Sequence, residues 1–281
     1  MTEAPYRTID HDEAQRLIDA EAAWIIDVRT PGEFDRLGHI PGAWLIPVDL
    51  VASAPAILPE VARPVIVYCE HGVRSRAASQ LLADAGVANV LNLAGGLAYW
   101  TGPREFGAGA VRGPSPWLLE NADLLPRGGR VLAVACGRGR HALLLAGAGF
   151  SVRAVDRDAA VVERLADVAN KLGFRIDAEV MDLETDPPPA LGAGEYDVVL
   201  VFNYLHRPLM PMVREAVAPG GLVFYETFTV KQAERGHPRN PAFLLHDGEL
   251  PALMAPFEIL RAREGEVEGR CIASAVARRP K

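Results

Sequence analysis

The sequence predicts two α/β domains in tandem, on three observations. The chain has 281 residues, 49% hydrophobic and 23% charged, which is long for one ordinary small domain and enough for two separate cores. Short β-branched runs alternate with helix-like runs across residues 1–100, and the alternation restarts at Trp117 and continues to the end. Strands interleaved with helices favour a parallel sheet covered on both faces. Between the blocks lies "TGPREFGAGAVRGPSP" (Thr101–Pro116), rich in Gly, Pro and Ala and without an apolar period, which is the composition of a linker. The expected division is a domain over 1–104, a linker over 105–116 and a domain over 117–281.

In the first block, Asp10 is placed to cap a helix running through Glu13 and Leu17. "AAWIIDV" reads as a strand, "PVIVYC" as a second, and "SRAASQLLADAG" as a helix closed by Gly86; "NVLNL" is a third strand leading into "GGLAYW". The second block offers seven strand candidates: "RVLAVAC", "SVRAVD", "EVMDL", "YDVVLVFN", "GLVFYETF", "FEILRARE" and "CIASAVARR". No internal repeat links the halves.

A net charge of −7 argues against bulk electrostatic binding to nucleic acid or anionic lipid. No apolar stretch reaches membrane-spanning length, and "MTEAPYRTIDHDEAQ" lacks the layout of a signal peptide. Cys69, Cys136 and Cys271 are odd in number and widely separated, which suits a reducing cytoplasm. No Cys/His cluster has zinc-ligand spacing, so no metal is expected. The expected partners are small molecules.

"VIVYCEHGVRS" (Val65–Ser75) sets Cys69 between a buried-strand run and a helix. Free N–H groups and the dipole at a helix N-terminus favour an anion. Gly72 lets the turn curl so that N–H groups converge, and Arg74 adds a positive charge. A thiol there is expected to have a depressed pKa. The flanking Glu70, His71 and Arg74 argue against a merely buried cysteine. Residues 1–104 resemble a single-domain rhodanese. "IIDVRTPGEFDRLGHIPGAWLIP", "CEHGVRS" and "NLAGGLAYW" resemble the family's N-terminal signature, active-site loop and C-terminal signature. The resemblance places the persulfide-carrying cysteine at Cys69, with Arg74 catalytic beside it. It places the loop on Glu70, His71, Gly72, Val73, Arg74 and Ser75, and structural or pocket-lining roles at Asp27 and Arg29. It also implies that a loop of six residues, Cys69–Arg74, fits a persulfide, since relatives acting on larger oxyanions have one more.

"RVLAVACGRGRHALLLAGAGFSVRAVDRD" gives strand, glycine turn, helix, strand and then Asp156, nineteen positions after Gly137, where a carboxylate can reach ribose hydroxyls. "EVMDLE" supplies a third acidic strand end, Asp182. Residues 113–281 resemble the class I S-adenosylmethionine (SAM)-dependent methyltransferases, nearest the tellurite-resistance and thiol-methylating groups. The resemblance implies a Rossmann-like seven-stranded sheet with "FEILRARE" and "CIASAVARR" as an antiparallel edge hairpin, and SAM as co-substrate. By position it gives Gly137 and Gly139 to the methionine part, Asp156 to the ribose, Asp182 and Leu183 to the adenine, and Asn203 to the methyl-transfer side, with Ala135 and Arg157 also cofactor-binding. Ala133 departs from the family, which usually carries an acidic residue there; Ala135 replaces a usual glycine. Cys136 reads as a packed residue. For the acceptor, "NYLHRP" offers Tyr204, Arg207 and, as a base near neutral pH, His206. "ETFTVKQAERGHPRNPAFLL" offers Glu226, Thr227, His237, Arg239 and Asn240 in a segment long enough to be a lid.

The combination predicts an enzyme of sulfur metabolism that moves sulfane sulfur through Cys69 and S-methylates the resulting hydrosulfide or small thiol. The alternatives are a sulfurtransferase controlled by a SAM-binding sensor, or methylation of selenite, tellurite or another small molecule.

Overall fold

The computed structural model describes residues 5–59 and 63–281; residues 1–4, on which the reading of the N-terminus rests in part, lie outside the described residues. The chain divides into two compact units, Met1–Pro114 with Asp167–Phe174, and Ser115–Ala166 with Arg175–Lys281.

The first unit runs β1 (Arg7–Ile9), α1 (His11–Asp19), β2 (Trp24–Asp27), α2 (Pro31–Arg36), β3 (Trp44–Leu45), α3 (Ala54–Ile57), β4 (Val65–Tyr68), α4 (Val73–Asp84) and β5 (Val90–Leu93). Its five strands pair in parallel in the order β1-β5-β4-β2-β3. The apolar runs of β2, β4 and β5 are buried on both faces, as the interior strands of a parallel sheet must be. Asp10 caps α1 by accepting from the Glu13 N–H at 2.8 Å. β4 lies at the centre of the sheet, so the residue after Tyr68 emerges at the carboxyl edge, where open α/β sheets place ligands.

The expected linker is in large part not a linker. Glu105 bridges His39, Val111 bridges Leu45, and the Arg112 guanidinium sits 3.9 Å from the Trp44 ring centre. Gly109 lies against Phe34, where a side chain would collide. The segment has no apolar period because it is extended and pairs only at isolated points. The boundary therefore falls at Pro114–Ser115, later than the expected 104.

The rest of the chain runs α5 (Pro116–Glu120), β6 (Arg130–Val134), α6 (Arg140–Gly147), β7 (Ser151–Asp156), α7 (Ala159–Leu172), β8 (Ile176–Val180), β9 (Tyr196–Phe202), α8 (Met210–Ala216), β10 (Val217–Phe228), α9 (Glu249–Met254), β11 (Glu258–Val267) and β12 (Arg270–Arg278). The seven-stranded order is β11-β12-β10-β9-β6-β7-β8. β12 is antiparallel to both neighbours, so the β11–β12 hairpin folds back into an otherwise parallel sheet. Leu132, Val134, Val199, Val201, Val223 and Tyr225 share one buried core, which fixes the strand ends that carry the second site. Among the described residues no helix is long and apolar enough to cross a membrane.

Candidate active sites

Cys69 follows β4 and is 1% exposed. Gly72, at φ +80°, caps α4, a left-handed conformation that a side chain would strain. The turn brings the Ser75 N–H to 3.4 Å from Cys69 Sγ and the Ser75 hydroxyl to 3.6 Å. That hydroxyl donates to Asn92 Oδ1 at 2.7 Å, which anchors it from β5. Burial pushes the Cys69 pKa up, but the N–H and hydroxyl of Ser75 and the N–H groups of His71 and Gly72 outweigh it, and the thiol ends below its ordinary value. Backbone donors, more than a side-chain cation, stabilise the thiolate.

The loop is braced from behind. Arg29 is fully buried between Asp27 at 2.7 Å, Glu70 at 2.9 Å and the Gly38 carbonyl at 2.7 Å. Asp27 and Arg29 thus hold the loop through Glu70 and do not line its mouth. From the other side, the Leu97 N–H donates to the Cys69 carbonyl at 2.8 Å and the Ala98 N–H to the Glu70 carbonyl at 2.9 Å. A Cβ on Gly96 would collide with the Cys69 carbonyl, so this glycine serves a close approach to the sulfur loop. His71 and Val73 are exposed at the mouth. Arg74 is paired with Glu33 of α2 at 2.5 Å. Glu33 and Asn92 escaped the sequence reading because each reaches the loop from a distant segment.

In the second unit, β6 leads into a turn in which Ala135 (φ +49°), Gly137 (φ +52°) and Gly139 (φ +81°) are all left-handed. The Gly137 N–H donates to Asp156 Oδ2 at 2.7 Å, and the Asp158 N–H to Asp156 Oδ1 at 3.1 Å, so the carboxylate ties the end of β7 to the glycine turn. A cavity of about 290 Å³ opens beside it. Of the expected residues, Ala135, Asp156, Arg157, Asp182, Leu183, Asn203 and Tyr204 line it. Met181, Glu184, Leu205, Phe228, Pro238 and Phe243, not singled out in the sequence, complete the wall. Pro238 and Phe243 come from the expected lid, where attention to polar residues passed over the apolar ones. Tyr204 Oη is buried with no hydrogen-bond partner, and burial pushes its pKa up, so it remains a neutral O–H donor. Two strand-end carboxylates, an unsatisfied phenol and the apolar Met181 and Leu183 fit a ligand with sugar hydroxyls and a flat base, as SAM has.

Gly137, Gly139, His206 and Arg207 lie outside the cavity wall. His206 Nε2 is nevertheless buried without a partner. Arg207, expected to meet substrate, forks onto Glu249 at 2.6 and 2.8 Å and donates to the carbonyls of Ala242 and Leu244. It fastens the segment that carries Phe243. Glu226 is 1% exposed and accepts from the hydroxyls of Ser115 and Ser274 at 2.7 and 2.8 Å, tying β10 to the start of α5 and to β12. Burial, then the Asp156 charge, pushes the Cys136 thiol up to about 12, so this cysteine is inert.

The rhodanese-like domain family matches residues 10–102, and the methyltransferase domain family residues 131–221. A sulfurtransferase of Allochromatium vinosum is 39% identical over 87 residues, covering 31% of this chain and 79% of that protein. The chain belongs to the rhodanese-like family. A methyltransferase domain follows in the same chain. The rhodanese-like domain is also 31% identical over 96 residues to the thiosulfate sulfurtransferase GlpE of Vibrio cholerae, covering 33% of this chain and 85% of that one. Among solved structures, TehB of Haemophilus influenzae superposes with a TM-score of 0.50 at 19% identity, covering 58% of this chain and 61% of TehB, which shows a shared fold. The chain is therefore an enzyme with a sulfurtransferase domain and a methyltransferase domain whose fold implies SAM as co-substrate.

Proposed function

We propose that the chain moves sulfane sulfur through Cys69 and methylates the resulting hydrosulfide or a small thiol. The observation that carries the first half is the cluster of donors around Cys69 Sγ. The thiolate attacks the outer sulfur of the donor; with thiosulfate a Cys69 persulfide forms, the donor S–S bond breaks and sulfite leaves with the electron pair. An acceptor thiolate takes the outer sulfur and regenerates Cys69, and a second thiolate then releases hydrosulfide and forms a disulfide. Arg74, beside Ser75, is proposed to favour the anionic donor and the persulfide. The GlpE relative, a thiosulfate sulfurtransferase by name, supports this donor class.

For the second half, bound SAM supplies an electrophilic methyl group. Asp156 with Arg157 is proposed to hold the ribose, Asp182 and Leu183 the adenine, and Ala135, Gly137 and Gly139 the methionine part, with Asn203 and Tyr204 at the acceptor side. Hydrosulfide is already anionic, so no base is needed; for a protonated thiol, His206 takes the proton, a role its unpartnered Nε2 supports. Three free cysteines support a reducing, cytoplasmic setting.

Full-length protein given thiosulfate, a reducing thiol and SAM is expected to form a methylated sulfur product. Cys69→Ser stops this with thiosulfate but leaves methylation of added sulfide intact, because Cys69 makes the nucleophile and takes no part in methyl transfer. Ala133, in place of an acidic residue, favours a second reading in which the methyltransferase domain senses SAM. That reading wins if SAM binds and alters the sulfurtransferase rate while no thiol or chalcogen acceptor is methylated.

A further inference from the structure

Arg74 is held by a residue 41 places away in the chain. Glu33 is the third residue of α2, where its carboxylate closes a capping box with Thr30. Its two oxygens also reach Nη1 and Nη2 of Arg74 at 2.8 and 2.5 Å, a fork-to-fork pairing. Arg74 immediately precedes Ser75, whose N–H and hydroxyl rest on Cys69 Sγ. The other guanidinium behind the loop, Arg29, is likewise matched, by Asp27 and Glu70. Arg76, on the same turn, bonds the Gly72 carbonyl through Nε at 3.2 Å. The pairing holds Glu33 ionised down to about pH 2, so its negative charge is constant across any assay range.

We propose that Glu33 is a specificity-determining residue of the sulfur-transfer site: by holding and neutralising Arg74 it reduces the advantage of dianionic donors such as thiosulfate over less charged ones. The proposal rests on Cys69 as the sulfur carrier. Thiosulfate brings two negative charges to the mouth and leaves as sulfite with both. A thiol persulfide R–S–SH reacts by the same attack on its terminal sulfur: the Cys69 Sγ–S bond forms, the donor S–S bond breaks, and a singly charged thiolate leaves. The two donors thus differ in how much they gain from an unmatched guanidinium.

Glu33→Gln tests this, because glutamine at the third helical position can still close the capping box while the charge is removed. Iodoacetate and iodoacetamide attack the same sulfur and differ by one charge. The variant is expected to raise the iodoacetate-to-iodoacetamide rate ratio at Cys69 by roughly threefold or more. The midpoint of the iodoacetamide pH profile should move down, and KM for thiosulfate should fall with kcat little changed. Arg74→Gln should lower the same ratio, and it carries the test alone if Glu33→Gln does not fold. A ratio unmoved in either folded variant overturns the proposal, as does an equal slowing of both reagents, the result of a merely structural brace. If the wild-type protein forms no Cys69 persulfide from thiosulfate or glutathione persulfide, the carrier reading fails and the proposal with it.

Discussion

Cys69 and Cys136 occupy similar places, each in a glycine-containing turn between a strand and a helix, yet their surroundings drive their thiols in opposite directions. Around Cys69 three backbone N–H groups, with the hydrogen bond to the Ser75 hydroxyl, outweigh burial. Around Cys136 burial and the Asp156 carboxylate act together. An unperturbed thiol near pKa 8.5 is about 3% ionised at pH 7, so a lowered pKa multiplies the reactive fraction and a raised one removes it. Substoichiometric iodoacetamide at neutral pH is therefore expected to label Cys69 and spare Cys136, as read by peptide mass spectrometry. Cys69→Ser should abolish sulfur transfer, and Cys136→Ala should leave its rate near that of the wild type. Preferential labelling of Cys136 would contradict the electrostatic account. The sequence made Cys69, Asp156 and Tyr204 visible because strand–turn–helix grammar fixes where strand ends point. It could not do so for Arg207, whose partner Glu249 lies 42 residues on, or for Asp27 and Arg29, whose full burial behind the loop depends on tertiary packing.

At the scale of elements, β6 and its turn hold the departures that bear most on cofactor binding. Ala133 is 3% exposed and sits in register with Ala154 of β7 and Leu200 of β9, one residue before the strand ends. An acidic side chain there would enter a closely packed apolar row. Ala133→Asp is expected to lower the thermal midpoint of the ligand-free protein, since an unpaired buried polar group costs about 1–3 kcal/mol. If the carboxylate then meets the ammonium of SAM, a charge-assisted hydrogen bond of about 1.5–3 kcal/mol tightens binding roughly tenfold or more. The two effects separate in one experiment: a lower midpoint without ligand and a larger upward shift on adding SAM. A lower midpoint with no larger shift would mean that another group already holds the ammonium. β6, β9, β10 and β12 were legible because long apolar runs declare buried strands, whereas β8 overlaps the expected "EVMDL" only at Glu179 and Val180, its exposed polar residues leaving no such run. β1 and β3, of three and two residues, were not legible, since so short a strand leaves no periodicity. In the segment expected as a lid, the apolar Pro238 and Phe243 reach the cavity wall, whereas Asn240 caps the Ala242 N–H.

For the whole molecule, the division into domains decides how the parts can be studied. Composition put the first boundary at residue 104, because Gly, Pro and Ala without a period resemble a flexible tether. The packing of Glu105 on His39, Gly109 on Phe34, Val111 on Leu45 and Arg112 on Trp44 moves it to Pro114. Glu105 and the His39 it pairs with sit beside Gly38, whose carbonyl accepts from the buried Arg29 that braces the sulfur loop. A fragment of residues 1–104 keeps every motif of the sulfur site but loses this strap. The Arg112–Trp44 contact alone contributes about 0.5–1 kcal/mol, and in a domain of this size each kcal/mol is worth roughly 4–8 °C. Both fragments should transfer sulfur from thiosulfate to cyanide, since Cys69 and its donors lie in each. The 1–114 fragment should melt several degrees higher, and Arg112→Ala should close part of that gap while leaving the rate per folded molecule unchanged. Equal melting temperatures for the two fragments would return residues 105–114 to the status of a tether.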